Sequence, residues 1–239
     1  MTPERYRRLR AVLDRRQPDL AVILDGVHKP HNIAAIARTC DAVGVLDLHT
    51  VLPNNRARPR ALNAMGSQRW VSVHRHDTGP DAVRHLRGQG MQVLAAHFSA
   101  QAVCYREVDF TRPTALLLGT EKFGVTQASS TCVDQHITIP MMGMVSSFNV
   151  SVAAAIILAE ACEQRRRAGL YQRPARALVD YDQVLFRWAH PRIAAHCQRF
   201  GVTFPALDPG GHIADPKRFD FALSQAILRH QAGERVMAP

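Results

Sequence analysis

Leu116-Leu117-Leu118-Gly119-Thr120-Glu121-Lys122-Phe123-Gly124 is an apolar run that gives way abruptly to a loop of small and polar residues. Ile139-Pro140-Met141-Met142-Gly143-Met144-Val145-Ser146-Ser147-Phe148-Asn149-Val150-Ser151-Val152-Ala153 repeats the arrangement a little further on. Each reads as a buried strand running into a loop that opens a helix. Backbone groups and helix N-termini at such junctions hold small ligands, so a ligand site is the first expectation.

The flanking sequence carries the same alternation. Residues 20–24 read as a strand, 32–43 as a helix closed by Gly44, 46–52 as a strand and 70–73 as a short strand. Residues 81–87 read as a helix stopped by Gly88, and 91–97, 114–118 and 136–139 as strands, before a last helix from about Asn149 to Ala168 with Gly169 as its stop. Apolar, β-branched strands alternating with helices specify an α/β fold, a mostly parallel sheet covered by helices on both faces.

Short helical pieces flank this alternation. Thr2-Pro3-Glu4 starts a helix that the pattern carries to about Gln17-Pro18, with Thr2 as cap and Pro3 in the first turn. Tyr6, Leu9 and Leu13 share one face of it, while Arg5, Arg7, Arg8, Arg15 and Arg16 spread over the remainder as a basic amphipathic arm. Beyond Gly169 the texture changes: Arg165-Arg166-Arg167 ends the long helix, Arg173-Pro174 breaks it, and Pro205, Pro209-Gly210-Gly211 and Pro216 punctuate the rest. The expected organisation is a basic N-terminal helix over 1–18, a main domain over 19–169 and a partly helical extension over 170–239. In that extension Tyr171, Tyr181, Phe186, Trp188, Phe200 and Phe204 lie among arginines and can stack on bases beside paired phosphates. The competing reading is that these rings pack the extension onto the core.

Composition bounds the function. With 239 residues and 46% hydrophobic content the chain can bury one substantial core. Thirty Lys and Arg against 20 Asp and Glu leave a net charge of +10, which favours a polyanionic partner. The five cysteines, Cys40, Cys104, Cys132, Cys162 and Cys197, are odd in number and contain no Cys-x-x-Cys pair, which excludes a disulfide framework and a zinc knuckle and reads as buried thiols of a reducing compartment. No apolar signal core opens the chain, and the longest apolar run, 152–159, falls far short of the roughly 18 residues a membrane span needs. A cytoplasmic protein without a membrane partner is expected.

Several familiar sites are excluded. The loop after Leu118 has two glycines five apart, but Val125 stands where a phosphate loop needs lysine. The turn after residue 24, Asp25-Gly26-Val27-His28-Lys29-Pro30-His31-Asn32, lacks the Gly-x-Gly-x-x-Gly of a dinucleotide site, so a cofactor must sit later in the chain. The close histidine pairs His28/His31 and His74/His76 have no third ligand at useful spacing, which speaks against a metal. Neither a Gly-x-Ser-x-Gly elbow nor an HExxH helix is present.

Asn32-x-x-Ala35-Ile36-x-Arg38-Thr39-x-Asp41-Ala42-x-Gly44, the 119–124 loop and the 139–153 stretch together resemble the SpoU branch of the knotted RNA 2′-O-ribose methyltransferases. The resemblance covers three ordered motifs and, more loosely, residues 1–170. It implies a sheet whose C-terminal part is threaded into a deep trefoil knot, a homodimer, and S-adenosylmethionine as methyl donor. Because only about twenty residues precede the first strand and a short extension follows, the likeness is greatest to members that methylate the ribose of guanosine 18 in the tRNA D-loop. Relatives acting on ribosomal RNA commonly carry a whole additional N-terminal binding domain. The alternatives are a ribosomal RNA ribose methyltransferase of the same family and an RNA-binding protein that has lost catalysis.

The family pattern implies a donor site formed by Ala96, Gly119, Ile139, Ser147 and Phe148. The polar residue expected at position 96 is alanine here, which leaves only its backbone. Glycines allow close backbone approach, and Ser146-Ser147 can cap the helix that follows. The implied catalytic group is Arg38, with Asn32, Glu121, Ser147 and Asn149 holding the motif, donor and ribose. A guanidinium hardly deprotonates, so stabilisation of a developing alkoxide and grip on the adjacent phosphate suit Arg38 better than a role as base. The competing reading is a structural ion pair of Arg38 with Glu121 or Asp41, and for Asn32 an ordinary N-cap.

Overall fold

The computed structural model describes residues 1–51, 69–120, 122–172 and 180–231. In chain order the first half contains α1 (Pro3–Leu13), β1 (Gln17–Asp25), α2 (Pro30–Val43), β2 (Val45–Val51), β3 (Ser72–His76), α3 (Gly79–Gly88) and β4 (Gln92–Ala96). The second half contains β5 (Val103–Cys104), β6 (Thr114–Leu118), α4 (Gln127–Ser130), β7 (Gln135–Thr138), α5 (Val150–Arg167), α6 (Tyr181–Ala189), α7 (Pro191–Phe200) and α8 (Pro216–Gln231). They divide into two compact units, residues 16–173 and residues 1–15 with 174–239.

The larger unit is a seven-stranded sheet in the order β3-β2-β1-β6-β4-β7-β5, with every pairing parallel. At its centre Leu20–Leu24 of β1 run in register with Thr114–Leu118 of β6, and every residue of β6 is buried. Period-two alternation divides the sheet into two cores. Val22, Leu24, Leu116 and Leu118 pack with Ile36 and Cys40 of α2 and Ala154, Ile157 and Leu158 of α5. Ala21, Ile23, Ala115 and Leu117 face the other way, onto Ala82, Val83 and Leu86 of α3. Each buried Val, Leu or Ile side chain contributes roughly 1.5–3 kcal/mol. Burial on both faces explains why these strands read as unbroken apolar runs.

Several boundaries differ from the sequence reading. The first helix ends at Leu13, not near Gln17-Pro18, because the Gln17 N–H donates to the Gly44 carbonyl (2.8 Å) and starts β1. Pro18 lacks an N–H, and the pairing of β1 with β2 shifts register between Gln17 and Ala21. β3 lies at 72–76 rather than 70–73, since its pairing with β2 runs from Asp47 opposite Ser72 to Val51 opposite His76. β5 and α4, too short to show a period, were not expected at all. Leu52, expected to end the second strand, and the expected break at Arg173-Pro174 lie outside the described residues.

Two arginines are interior. Arg16 is fully buried, ion-paired with Asp41 and bonded to the carbonyls of Asp41 (3.1 Å) and Val45 (3.3 Å), so it is no part of a solvated arm. Arg165, in the last turn of α5, is also fully buried. It donates to the carbonyls of Phe110 (2.9 Å), Asp19 (3.0 Å) and Arg112 (3.0 Å), to Gln17 Oε1 (3.1 Å) and to Asp19 Oδ1 (2.6 Å). A buried guanidinium is tolerated when its donors are satisfied in this way. Arg166 and Arg167 instead share Glu163 at the surface.

In the smaller unit Tyr6, Leu9 and Leu13 of α1 and Tyr181, Val184, Leu185, Phe186 and Trp188 of α6 are buried. The Tyr181 hydroxyl donates to Asp14 Oδ1 (2.8 Å), and Phe186 stacks on Phe204 with ring centres 4.9 Å apart. These rings are therefore packing groups of the unit rather than free stacking platforms. Of the cysteines, Cys40 and Cys197 are buried, whereas Cys104, Cys132 and Cys162 are partly exposed, against the expectation that all were interior. None of the five is in a disulfide.

Candidate functional site

In an all-parallel sheet the loops leaving the carboxyl ends of neighbouring strands form a natural crevice. Here those leaving β4, β6 and β7, adjacent in the sheet, frame a cavity of about 330 Å³. Leu118, Ile137, Ile139, Phe148, Val150 and Ile157 give it apolar walls, and Thr120, Thr138, Ser146 and Ser147 supply hydroxyls. Its ionisable groups among the described residues are His97 and Lys122.

The 119–124 loop folds back on itself: the Thr120 and Gly124 N–H groups each donate to the other's carbonyl at 2.8 Å. The return requires φ of +67° at Gly124, a conformation that favours glycine. A Cβ at Gly119 would stand 2.0 Å from the Gly124 carbonyl carbon, so no side chain fits there. Beyond the loop, Thr126 donates its N–H (3.0 Å) and hydroxyl (2.7 Å) to Oδ2 of Asp25, which is buried at the end of β1. Asp25 thus anchors the loop, a role visible in sequence only as a carboxylate closing a buried strand.

The second wall comes from the segment leading into α5. The cap of that helix is Asn149, whose Oδ1 accepts the Ser151 N–H (2.8 Å) and hydroxyl (2.6 Å), not Ser146 or Ser147. Asn149 Nδ2 donates to Oδ1 of Asn32 (3.3 Å). Asn32 is not an N-cap: Pro30 begins α2 with Lys29 in the cap position, which places Asn32 inside the first turn. It is buried, and its own Nδ2 has no hydrogen-bond partner among the described residues.

Ala96, Gly119, Ile139, Ser147 and Phe148, drawn from four separate segments, all line this one cavity. Asn32 and Asn149 are joined beside it. Arg38 is elsewhere: it sits on the exposed stripe of α2 with His31, Ala35 and Ala42, and is not among the residues lining the cavity. Asp41 is engaged by Arg16, which removes it as the partner considered for Arg38. Glu121 lies outside the described residues. His97 was missed as a cavity residue, although it directly follows Ala96.

His97 is half-buried, and its N–H donates to the Ile137 carbonyl (3.1 Å). Burial and then the neighbouring His136 hold its imidazole below the usual histidine range. His136 meets it edge-on with ring centres 5.1 Å apart. Among the described residues no group of three or more His, Cys, Asp or Glu is placed to hold a metal, and no helix is long and apolar enough to cross a membrane.

The parallel sheet and the cavity at its carboxyl edge go with a defined class. The SpoU rRNA Methylase family model matches residues 19–159, the family's C-terminal model matches residues 163–216, and the chain belongs to the SpoU methylase family. Within it, the chain is 51% identical over 215 residues to the tRNA (guanosine(18)-2'-O)-methyltransferase of Escherichia coli K12, covering 89% of this chain and 94% of that protein. The crystal structure of the A. aeolicus TrmH/SpoU tRNA modifying enzyme superposes with a TM-score of 0.73 at 40% identity, covering 80% of this chain and 97% of that one. The SpoU methyltransferase AviRb from Streptomyces viridochromogenes, solved in complex with the cofactor AdoMet, gives 0.55 at 31% identity over 64% of this chain and 62% of its own.

Proposed function

We propose that this chain transfers a methyl group from S-adenosylmethionine to the 2′-hydroxyl of guanosine 18 in the D-loop of tRNA. The observation that carries the reading is the pairing of near-full-length similarity to a guanosine-18 enzyme with a cavity at the carboxyl ends of β4, β6 and β7. The fit to the donor is chemical: apolar walls suit an adenosine ring, the hydroxyls of Thr120, Thr138, Ser146 and Ser147 suit its polar rim, and the side-chain-free approach at Gly119 leaves backbone groups within reach. When bound, the donor supplies an activated methyl group. Ala96, Gly119, Ile139, Ser147 and Phe148 then hold it.

The remaining roles belong to other side chains. The Asn32–Asn149 pair locks the first turn of α2 to the entry of α5 and keeps one amide donor, Asn32 Nδ2, for a ligand oxygen. Arg38, exposed and permanently charged, grips a phosphate of the RNA and stabilises the oxygen that develops negative charge as it attacks. Glu121 supports the loop or the substrate. Exposed Arg5, Arg7, Arg8, Arg192, Arg199 and Lys217 of the smaller unit give the tRNA a basic surface to dock on. The reading includes the family's trefoil knot, a homodimer and action in the cytoplasm.

Incubation with methyl-labelled donor, total tRNA and ribosomal RNA, followed by mapping of the modified nucleotide, tests the reading. Label at guanosine 18 of tRNA is expected. Label only in ribosomal RNA, or none, overturns it.

A further inference from the structure

Among the described residues the cavity carries two basic groups and no carboxylate. Lys122 is exposed, and its Nζ stands 5.1 Å from the centre of the Phe123 ring, so its charge is turned onto an aromatic face at the surface. His97 is therefore the ionisable group set into the wall itself. No acid among these residues offsets a charge on it.

The surroundings of His97 disfavour its charged form and hold it in place. It leaves the end of β4, pinned through its N–H to Ile137. From the loop after β6, Gly124 faces its Nδ1, and a Cβ there would stand 3.5 Å away, in ordinary van der Waals contact. From β7, His136 presents its ring edge-on. That ring is fixed in turn. Its Nε2 lies 3.0 Å from the Ser130 hydroxyl and 3.1 Å from the Ser130 carbonyl, and its Nδ1 lies 2.9 Å from the Ser99 hydroxyl. Among the described residues, the groups shown facing His97 are thus an imidazole and backbone, with Lys122 on the neighbouring loop.

We propose that His97 sets the preference of the cavity between the charged methyl donor and its uncharged thioether product: neutral, it admits the sulfonium, and protonated, it repels it. The inference rests on the reading of the cavity as the donor site. Donor and product share the adenosine and amino-acid ends and differ in the charge on sulfur, so a cation in the wall penalises one and spares the other.

Titration calorimetry of the full chain with S-adenosylmethionine and with S-adenosylhomocysteine, at pH 7.0 and pH 5.0, tests this without turnover. Between these values the donor's Kd is expected to rise about tenfold more than the product's, a differential of about 1.4 kcal/mol. In His97→Gln the donor's rise shrinks to that of the product. His97→Asn serves as a second neutral variant should the first fail to fold, and product binding at both pH values reports that the cavity is intact. Parallel loss of both ligands in the wild type, or an undiminished donor slope in the neutral variants, overturns the proposal. Absence of binding by either ligand at pH 7.0 overturns the donor-site reading itself.

Discussion

Asn149 and Asn32, 117 positions apart in sequence, are joined side chain to side chain at 3.3 Å, while Asn149 simultaneously caps α5 through its other amide atom. One residue thus performs two separable tasks. Asn149→Ala removes both and is expected to cost about 1 kcal/mol of stability as well as methyl transfer. Asn149→Ser keeps a capping oxygen but has no amide to reach Asn32, so urea unfolding within about 0.5 kcal/mol of wild type should accompany the same loss of turnover. A serine variant with near-normal turnover would reduce the pair to a scaffold.

Arg38 stands exposed with no hydrogen bond or ion pair among the described residues. Removing such a side chain changes stability by no more than about 0.5 kcal/mol. Arg38→Ala should therefore keep its melting temperature and most of its tRNA affinity while kcat falls by roughly 100-fold or more. Arg38→Lys should recover little, since an ammonium does not reproduce the planar fork on phosphate. Single-turnover assays beside filter binding separate the effects, and retention of normal kcat in the alanine variant removes Arg38 from the chemistry.

Arg165 gives the opposite expectation. Its guanidinium satisfies three carbonyls and two side-chain oxygens in the interior. Arg165→Ala strands these acceptors and is expected to destabilise the larger unit by about 3–5 kcal/mol. Urea denaturation measures the loss, and a change below about 1 kcal/mol would mean that water replaces the arginine.

These two arginines show where sequence reasoning works and where it stops. The central strands and the cavity segments were legible because burial on both faces removes polar residues from 20–24 of β1 and 115–118 of β6, and because small residues must follow where loops turn tightly. β3, Ser72–His76, has Val73 as its one apolar residue, too little for a strand signal, and is held by register against β2. Arg16 and Arg165 look identical in sequence to the exposed arginines beside them, since only the fold brings carbonyls and carboxylates around them. Pro30 outweighed Asn32 as the start of α2 for a local reason, its fixed φ and missing N–H suiting the first turn.

The histidines of β2, β3 and α3 make stability depend on pH. His49 is buried, its Nδ1 lies 2.8 Å from His76 Nε2, and its ring stacks on His74 and His76. Burial, reinforced by His74 and His76, pushes its pKa down to about 3. In the unfolded chain the same group titrates near 6.5, so between about 6.5 and 3 the unfolded state binds the extra proton. The stability His49 contributes is complete above the unfolded value and is lost as pH falls through this window. The urea midpoint should decline from pH 7 to pH 5, and His49→Gln should flatten that decline. A wild-type midpoint constant over this range would mean that the cluster accepts a proton without cost.

Gly119→Ala tests the cavity without touching the sheet's own packing. A methyl group at this position meets the Gly124 carbonyl carbon at 2.0 Å, and the two backbone bonds between Thr120 and Gly124 leave the loop no room to yield in place. The strain is relieved most easily by opening the 119–124 loop, because β6 is held on both sides by β1 and β4. Donor affinity is therefore expected to fall by at least tenfold, with far-ultraviolet circular dichroism unchanged and thermal stability lowered only modestly. Calorimetry with S-adenosylmethionine beside a thermal melt reads both. Unchanged affinity in a folded variant would place the donor away from Gly119, and global unfolding would show that the loop is a structural clasp of the sheet instead of one wall of a binding site.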